Sequence, residues 1–337
     1  MLSLDNHQPV VLPAGVPPVL TVVVDTEEEF DWSQPFSRSN TCTRSIAAQP
    51  LVHQRVFDKH GVVPTYVIDW PVANDPEAVK VLKALMNDGR CEIGTHLHPW
   101  VSPPHDEEVN THNSYAGNLP QALEYQKLEL LTQAIEASFG KRPIVFKAGR
   151  YGVGPHTADT IARLGYLIDA SVVPYTDMRG DGGPNFSKHD AHPRWFTAHT
   201  QTLLELPATA GYAGKLHRQG RWLYPAMQKS LAKHLRLPGM ASRAGLLERV
   251  KLTPEGYSAK ELINLTRCLH VQGCSFFGLT YHSPSLSPGN TPYVRSPEDL
   301  EDFLSVLDEY ISFFVNELNG KTLSASAYLK LASSQRA

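Results

Sequence analysis

The chain has 337 residues, enough for one large α/β domain or two smaller ones, and with 42% of them hydrophobic a sizeable core can be buried. Its 31 basic and 34 acidic residues leave a formal charge of −3, which gives no overall bias toward nucleic acid. No apolar run approaches the ~20 residues of a membrane-spanning helix, and residues 1–18 lack a basic segment leading into a continuous apolar one, so a soluble, cytoplasmic protein without a secretory signal is expected. The four cysteines (Cys42, Cys91, Cys268, Cys274) show no CxxC spacing and read as free buried thiols.

The proline-rich start, 1–18, reads as an extended arm. Residues 19–25 then form a strand candidate apolar enough to be buried on both faces, and it runs into the acidic cluster Asp25-Thr26-Glu27-Glu28-Glu29. A second strand is expected over 62–68 and a helix over 76–88, closed by Gly89. The strand candidate 91–95 leads into His96-Leu97-His98. A long helix over 120–139, closed by Gly140, precedes the strand 144–147 and the segment Lys147-Ala148-Gly149-Arg150-Tyr151-Gly152. Residues 156–164 read as a helix and 166–170 as a strand, with Asp169 and Asp177 placed to border the same groove as the earlier clusters. The next strand is 203–206.

Residues 214–252 interrupt the alternation with nine cationic residues (Lys215, Arg218, Arg221, Lys229, Lys233, Arg236, Arg243, Arg249, Lys251) against the single acid Glu248. A solvated helical insertion is the plain reading; an anion- or membrane-facing flap is the functional one. A helix over 258–271 and the strand 276–281, ending at His282, follow, and a helix over 297–316 completes the pattern before a tail, 319–337. Seven strands alternating with helices suit a barrel or a doubly wound sheet, and in both folds ligands gather at the carboxyl ends of the strands. The four chemically interesting clusters all fall there.

In extended backbone, residues i and i+2 point to one side, so His96 and His98 are placed to share an ion, and zinc takes neutral imidazole readily. Such a site still needs a carboxylate, which the acidic cluster at the end of the first strand supplies. Neither cluster assigns a function by itself. The order Asp25-Thr26-Glu27, Glu92-Ile93-Gly94-Thr95-His96-Leu97-His98-Pro99, Phe146-Lys147-Ala148-Gly149-Arg150-Tyr151-Gly152 and Leu279-Thr280-Tyr281-His282 resembles the motifs of the polysaccharide deacetylase (NodB-homology) family, its WalW-like branch in particular, over about residues 19–318.

That resemblance implies a distorted (β/α)7 barrel forming one catalytic domain over 19–318. It implies Asp25 as catalytic base, Glu27 as the acidic metal ligand where aspartate is more usual, His96 and His98 as the other ligands, and His282 as catalytic acid. The second histidine stands two positions after the first instead of four. Lys147 occupies the place of the family's arginine at the groove wall and, with Arg150 and Tyr151, is expected to contact the substrate; Arg150, three residues later, is alternatively the candidate to hold Asp25 ionised. Which of Asp25 and Glu27 supplies the acidic ligand stays open.

The reaction implied is hydrolysis of an acetamide on a saccharide or glycoconjugate with a divalent ion, zinc by expectation, lowering the pKa of a water toward ~7. The competing reading is a metal-free, non-catalytic carbohydrate-binding member of the same fold, since departures stand at Glu27, His98 and Lys147. A nucleotide-binding enzyme is disfavoured, because Gly152 and the glycines at 180–183 match no Walker A or dinucleotide fingerprint. Contact of 214–252 with an anionic membrane surface is a further expectation.

Overall fold

The computed structural model describes residues 2–228 and 237–334. Seven parallel strands carry the molecule: β1 (Val19–Thr26), β2 (Thr65–Ile68), β3 (Glu92–Leu97), β4 (Val145–Ala148), β5 (Ile168–Asp169), β6 (Gln201–Glu205) and β7 (Phe276–His282), hydrogen-bonded in the order β7-β1-β2-β3-β4-β5-β6. β1 is buried along all eight residues, as its β-branched run demands of a strand covered on both faces. The sheet curls until β6 and β7 face each other across a gap. Residues after β6 close it, with Thr209 N–H donating to the Gly278 carbonyl at 2.9 Å and Gly278 N–H donating to Thr209 Oγ1 at 2.8 Å. A Cβ on Gly278 would lie 2.6 Å from the Pro207 carbonyl oxygen, so only glycine allows this approach. The architecture is a distorted (β/α)7 barrel.

Alternation along the strands sorts the side chains. Val19, Val23, Val67, Val145, Ile168, Leu204 and Phe276 form an inner cluster, while Leu20, Val22, Ile68, Phe146 and Leu203 pack outward in a separate one with the helices Pro76–Asn87, Gln121–Phe139, Ala259–His270 and Pro297–Ser312. Ser258 and Ser296 cap the last two with reciprocal capping boxes.

Several boundaries differ from expectation. Residues 62–64 and 166–167 stay outside the ladders, and an antiparallel strand not read from the sequence, Arg194–Ala198, pairs with β6. The N-terminal arm runs along it, Gln8–Pro9 pairing antiparallel with Trp195 and Arg194. Of the expected tail, residues 319–334 pack onto the barrel. Lys321–Thr322 pairs parallel with the start of β1, and the helix Ala325–Ser333 sets Ala325, Tyr328 and Ala332 against the inner cluster, plugging the amino end of the barrel.

The basic segment is organised by a two-stranded antiparallel ribbon, Ala210–Ala213 with Glu248–Lys251, enclosing the helices Gly220–Met227 and Leu237–Arg243. Lys229, Lys233 and Arg236 lie outside the described residues. All four cysteines are free, but Cys42 is exposed, its thiol donating to Glu29 Oε2 at 3.1 Å. No helix among the described residues is long and apolar enough to cross a membrane.

Candidate active site

Register delivers the site. His282 at the end of β7 stands beside Asp25 of β1, and His96 of β3 stands beside Lys147 of β4. The backbone beyond β1 turns Glu27 back over the barrel mouth, its N–H donating to Ser283 Oγ at 3.2 Å. His96 Nε2 and His98 Nε2 each lie 3.4 Å from Glu27 Oε2, and all three residues are buried.

The other imidazole nitrogens fix what these atoms are. His96 Nδ1 donates to the Lys147 carbonyl at 3.1 Å, and His98 Nδ1 donates to Glu28 Oε2 at 2.8 Å. The Lys147 carbonyl can only accept and Glu28 faces His98 as a carboxylate acceptor, so both rings present bare Nε2 lone pairs to Glu27. Burial pushes His96 well below the usual imidazole range and His98 down to about 4, so both are neutral. Burial also raises Glu27 well above the carboxylate range, with Glu28, Asp25 and Asp69 adding to it. The two bare Nε2 atoms and Glu27 thus converge on one point, and because burial pushes Glu27 toward holding a proton there, a divalent cation that takes that proton's place stabilises the arrangement.

The histidines are held from behind. Glu28 accepts from Trp100 Nε1 at 2.8 Å as well as from His98, and Asp69 Oδ2 accepts from the Glu28 N–H at 2.8 Å. Burial raises Glu28 to about 7, and burial together with the neighbouring Glu28 raises Asp69 well above the usual carboxylate range. Trp100 stacks on His98 with ring centroids 4.3 Å apart. On the other side, a Cβ at Gly149 would meet His98 Cδ2 at 2.3 Å, so the glycine after β4 lets the imidazole ring lie against the chain.

Asp25 lies next to this donor set. Lys147, reaching across the barrel lumen, donates from Nζ to Asp25 Oδ1 at 2.5 Å and to Thr280 Oγ1 at 2.8 Å. Burial alone would raise Asp25; Lys147, His96 and His282 outweigh it and hold the carboxyl below its usual range. His282 Nε2 is 3.7 Å from Asp25 Oδ2, and its Nδ1 donates to Glu255 Oε2 at 2.8 Å. Burial would depress His282, but Glu255, Glu27 and Asp25 raise it to about 9, so it is protonated at neutral pH. Ser285 Oγ and the His282 N–H hold the second Glu255 oxygen at 2.6 and 3.0 Å.

Arg150 does not reach Asp25. It pairs with Asp181 at 2.8 Å, donates to Ser114 Oγ at 2.5 Å, and lies 4.0 Å over the Tyr115 ring. Arg150 and Tyr151 have φ of +55° and +57°, left-handed conformations costing roughly 1–3 kcal/mol each. That turn places both on the wall of a cavity of about 490 Å³ that also holds Asp25, Glu27, His96, His98, Lys251 and His282. Asp169 and Asp177 do not border it. Asp169 is buried behind the sheet, donating nothing to the groove and accepting from Ser171, and Asp177 is exposed and paired with Arg179. Asp181 is the acid that reaches the cavity wall. Glu28, Asp69, Glu255 and Lys251 are site residues that the sequence did not single out, although Glu28 stands in the acidic cluster, Lys251 in the basic segment, and Asp69 is an N-cap before Trp70-Pro71.

No protein-family model matches the chain, and no curated protein matches it by sequence. Among solved structures it is similar to Puue allantoinase, with a TM-score of 0.58 and 12% identity over 99% of this chain and 96% of that one. It is also similar to a protein named as a polysaccharide deacetylase from Mycobacterium smegmatis (TM-score 0.56, 17% identity, covering 97% of this chain and 94% of that one). A protein named likewise from Pseudomonas aeruginosa PAO1 matches with a TM-score of 0.53 and 13% identity, over 94% of this chain and 91% of that one. At these identities the likeness establishes the fold, the distorted (β/α)7 barrel.

Proposed function

We propose that the protein is a divalent-metal-dependent hydrolase that removes the acetyl group from an N-acetylated saccharide or glycoconjugate, as a member of the polysaccharide deacetylase (NodB-homology) family close to its WalW-like branch. The observation that carries this reading is the convergence of Glu27, His96 and His98 beside an ionised Asp25 and a protonated His282 on one cavity. The deacetylases among the solved structures of the same fold support it.

Glu27, His96 and His98 would hold the ion, zinc by the chemistry of two imidazoles and a carboxylate. Bound there, a divalent ion supplies polarisation of the amide carbonyl and a water of lowered pKa. Asp25 accepts the proton of the attacking water at Oδ2, because Oδ1 is committed to Lys147. Lys147 keeps Asp25 ionised in a buried setting, the work expected of Arg150. His282 donates from Nε2 to the departing amine nitrogen, and Glu255 fixes its tautomer and holds it charged. Trp32, edge-on to His282 at 4.9 Å, and Tyr151 flank the cavity and limit water there.

Acetate release from N-acetylated oligosaccharides by zinc-loaded protein tests the reading, with allantoin as a second substrate because of the likeness to an allantoinase. Hydrolysis of the acetamide, lost in Asp25→Asn with metal still bound, is expected. Turnover of allantoin alone, or of neither substrate by fully metal-loaded protein, would overturn it.

A further inference from the structure

Alternation on the return strand of the ribbon, Glu248–Lys251, buries Val250 in the core and turns Arg249 and Lys251 the other way, toward the reaction cavity. Arg249 stops at its rim, where it donates to the Pro174 carbonyl at 3.0 Å and to Thr176 Oγ1. Lys251 goes further and lines the cavity together with Asp25, Glu27, His96, His98 and His282. Its ammonium group lies 5.6 Å from the Tyr151 ring centroid, the ring that Lys147 approaches to 5.1 Å.

The cations around this cavity differ in one respect. Lys147 is neutralised by Asp25 and Arg150 by Asp181. Of the two carboxylates nearest in sequence to Lys251, Glu248 accepts from Ser242 and Glu255 is already filled by His282 and Ser285. Among the described residues, no carboxylate lies within ion-pairing distance of Lys251, and its only close partner is the face of Tyr151. Burial pushes its pKa below the usual lysine range, and Arg249 and Lys147 push it further. A half-buried ammonium group facing the cavity from a positively charged side gains most from an anion that enters with a ligand.

We propose that Lys251 forms an anion subsite of the reaction cavity and that the amide substrate carries an acidic group, a carboxylate or a phosphate ester, beside the scissile bond. The inference rests on the amidohydrolase reading above and narrows its substrate class. It also gives the basic insertion a task at the site, since its ribbon is the element that brings the lysine there.

Three probes test it on the zinc-loaded full chain: neutral N-acetylglucosamine, N-acetylmuramic acid for a carboxylate, and N-acetylglucosamine 1-phosphate for a phosphate. Both acetate release and equilibrium binding are measured for the wild type, Lys251→Met and Lys251→Arg. The wild type should favour one acidic probe over the neutral one by about tenfold or more, the scale of a single partly desolvated ion pair. Lys251→Met should abolish that ratio and Lys251→Arg should keep most of it; the probe that shows the ratio identifies the anion. An acidic-to-neutral ratio near one in the wild type, or one that Lys251→Met leaves unchanged, overturns the subsite. Lys251-dependent binding of an acidic probe with no acetate release from any probe would sink the deacetylase reading while the anion subsite stands. Acetate release without a Lys251-dependent ratio would do the reverse.

Discussion

Glu28 never touches the three donor atoms, yet it should set how tightly they hold metal. Its two carboxylate oxygens each accept one buried N–H at 2.8 Å, from His98 Nδ1 and from Trp100 Nε1. In Glu28→Gln the side chain keeps its shape but has a single acceptor oxygen, so whichever way the amide turns, its NH₂ faces one of the two N–H donors. The negative charge that makes His98 a better electron-pair donor is lost as well. Removing such a support behind a metal-bound histidine weakens metal affinity by about 10- to 100-fold, or roughly 1.4–2.7 kcal/mol. Zinc competition against a chelating dye at neutral pH measures it. Glu28→Gln should fall between the wild type and Glu27→Gln, which removes a ligand outright, while Glu29→Gln, whose carboxylate serves Ser45 and Cys42, should match the wild type. If Glu28→Gln bound zinc as tightly as the wild type, the carboxylate–histidine relay would have no part in the site, and the assignment of His98 Nε2 as a ligand atom would lose its support.

Asp25→Asn should keep its zinc and lose acetate release by about 10²-fold or more, the scale of a positioned general base; a near-wild-type rate would remove Asp25 from that role. In Glu255→Gln the largest charge raising His282 toward 9 is gone, so its folded pKa falls and the alkaline limb of the pH profile of kcat/KM should move to lower pH. A limb that stays in place would mean that His282 is not the acid. Glu124, buried and raised to about 7, binds more protons folded than unfolded between its unfolded value and pH 7, so this group's contribution to stability falls as pH rises through that window. Glu124→Gln should therefore gain stability on the wild type in urea melts at pH above 7 and lose that advantage near ~5; a gap that does not change with pH refutes this. For the segment 214–252, Trp222 and Met240 are 67% and 60% exposed among basic residues, so co-sedimentation with anionic but not neutral vesicles, weakened by salt, is expected. Equal and negligible sedimentation in all conditions would return the segment to a solvated insertion.

What the sequence made legible follows from which signals are local. An eight-residue run buried on both faces, a glycine before an HxH pair, and apolar strands ending in Lys147 and His282 are each written within a few positions, and strand alternation does the rest. Alternation puts Asp25 and Glu27 on the cavity side and frees Glu28 to turn behind His98, but within a run of acids that division shows only once the phase at the end of β1 is known. The exchange of duties between Lys147 and Arg150 was hidden for another reason. Lys147 reaches Asp25 across the barrel lumen, a contact between residues 122 apart, while two consecutive left-handed residues swing Arg150 away to Asp181. Glu255 and Lys251 are more remote still, since both depend on where the ribbon returns after an insertion whose charge pattern spoke only of surface. The closing helix Ala325–Ser333 leaves little local signal because its pairing strand is two residues long and the helix itself only nine, with its fully buried positions held by small alanines and one tyrosine. The chemistry-bearing ends of the strands could thus be read in the chain, whereas the groups that tune them are set by closure of the barrel, which brings together positions no local pattern connects.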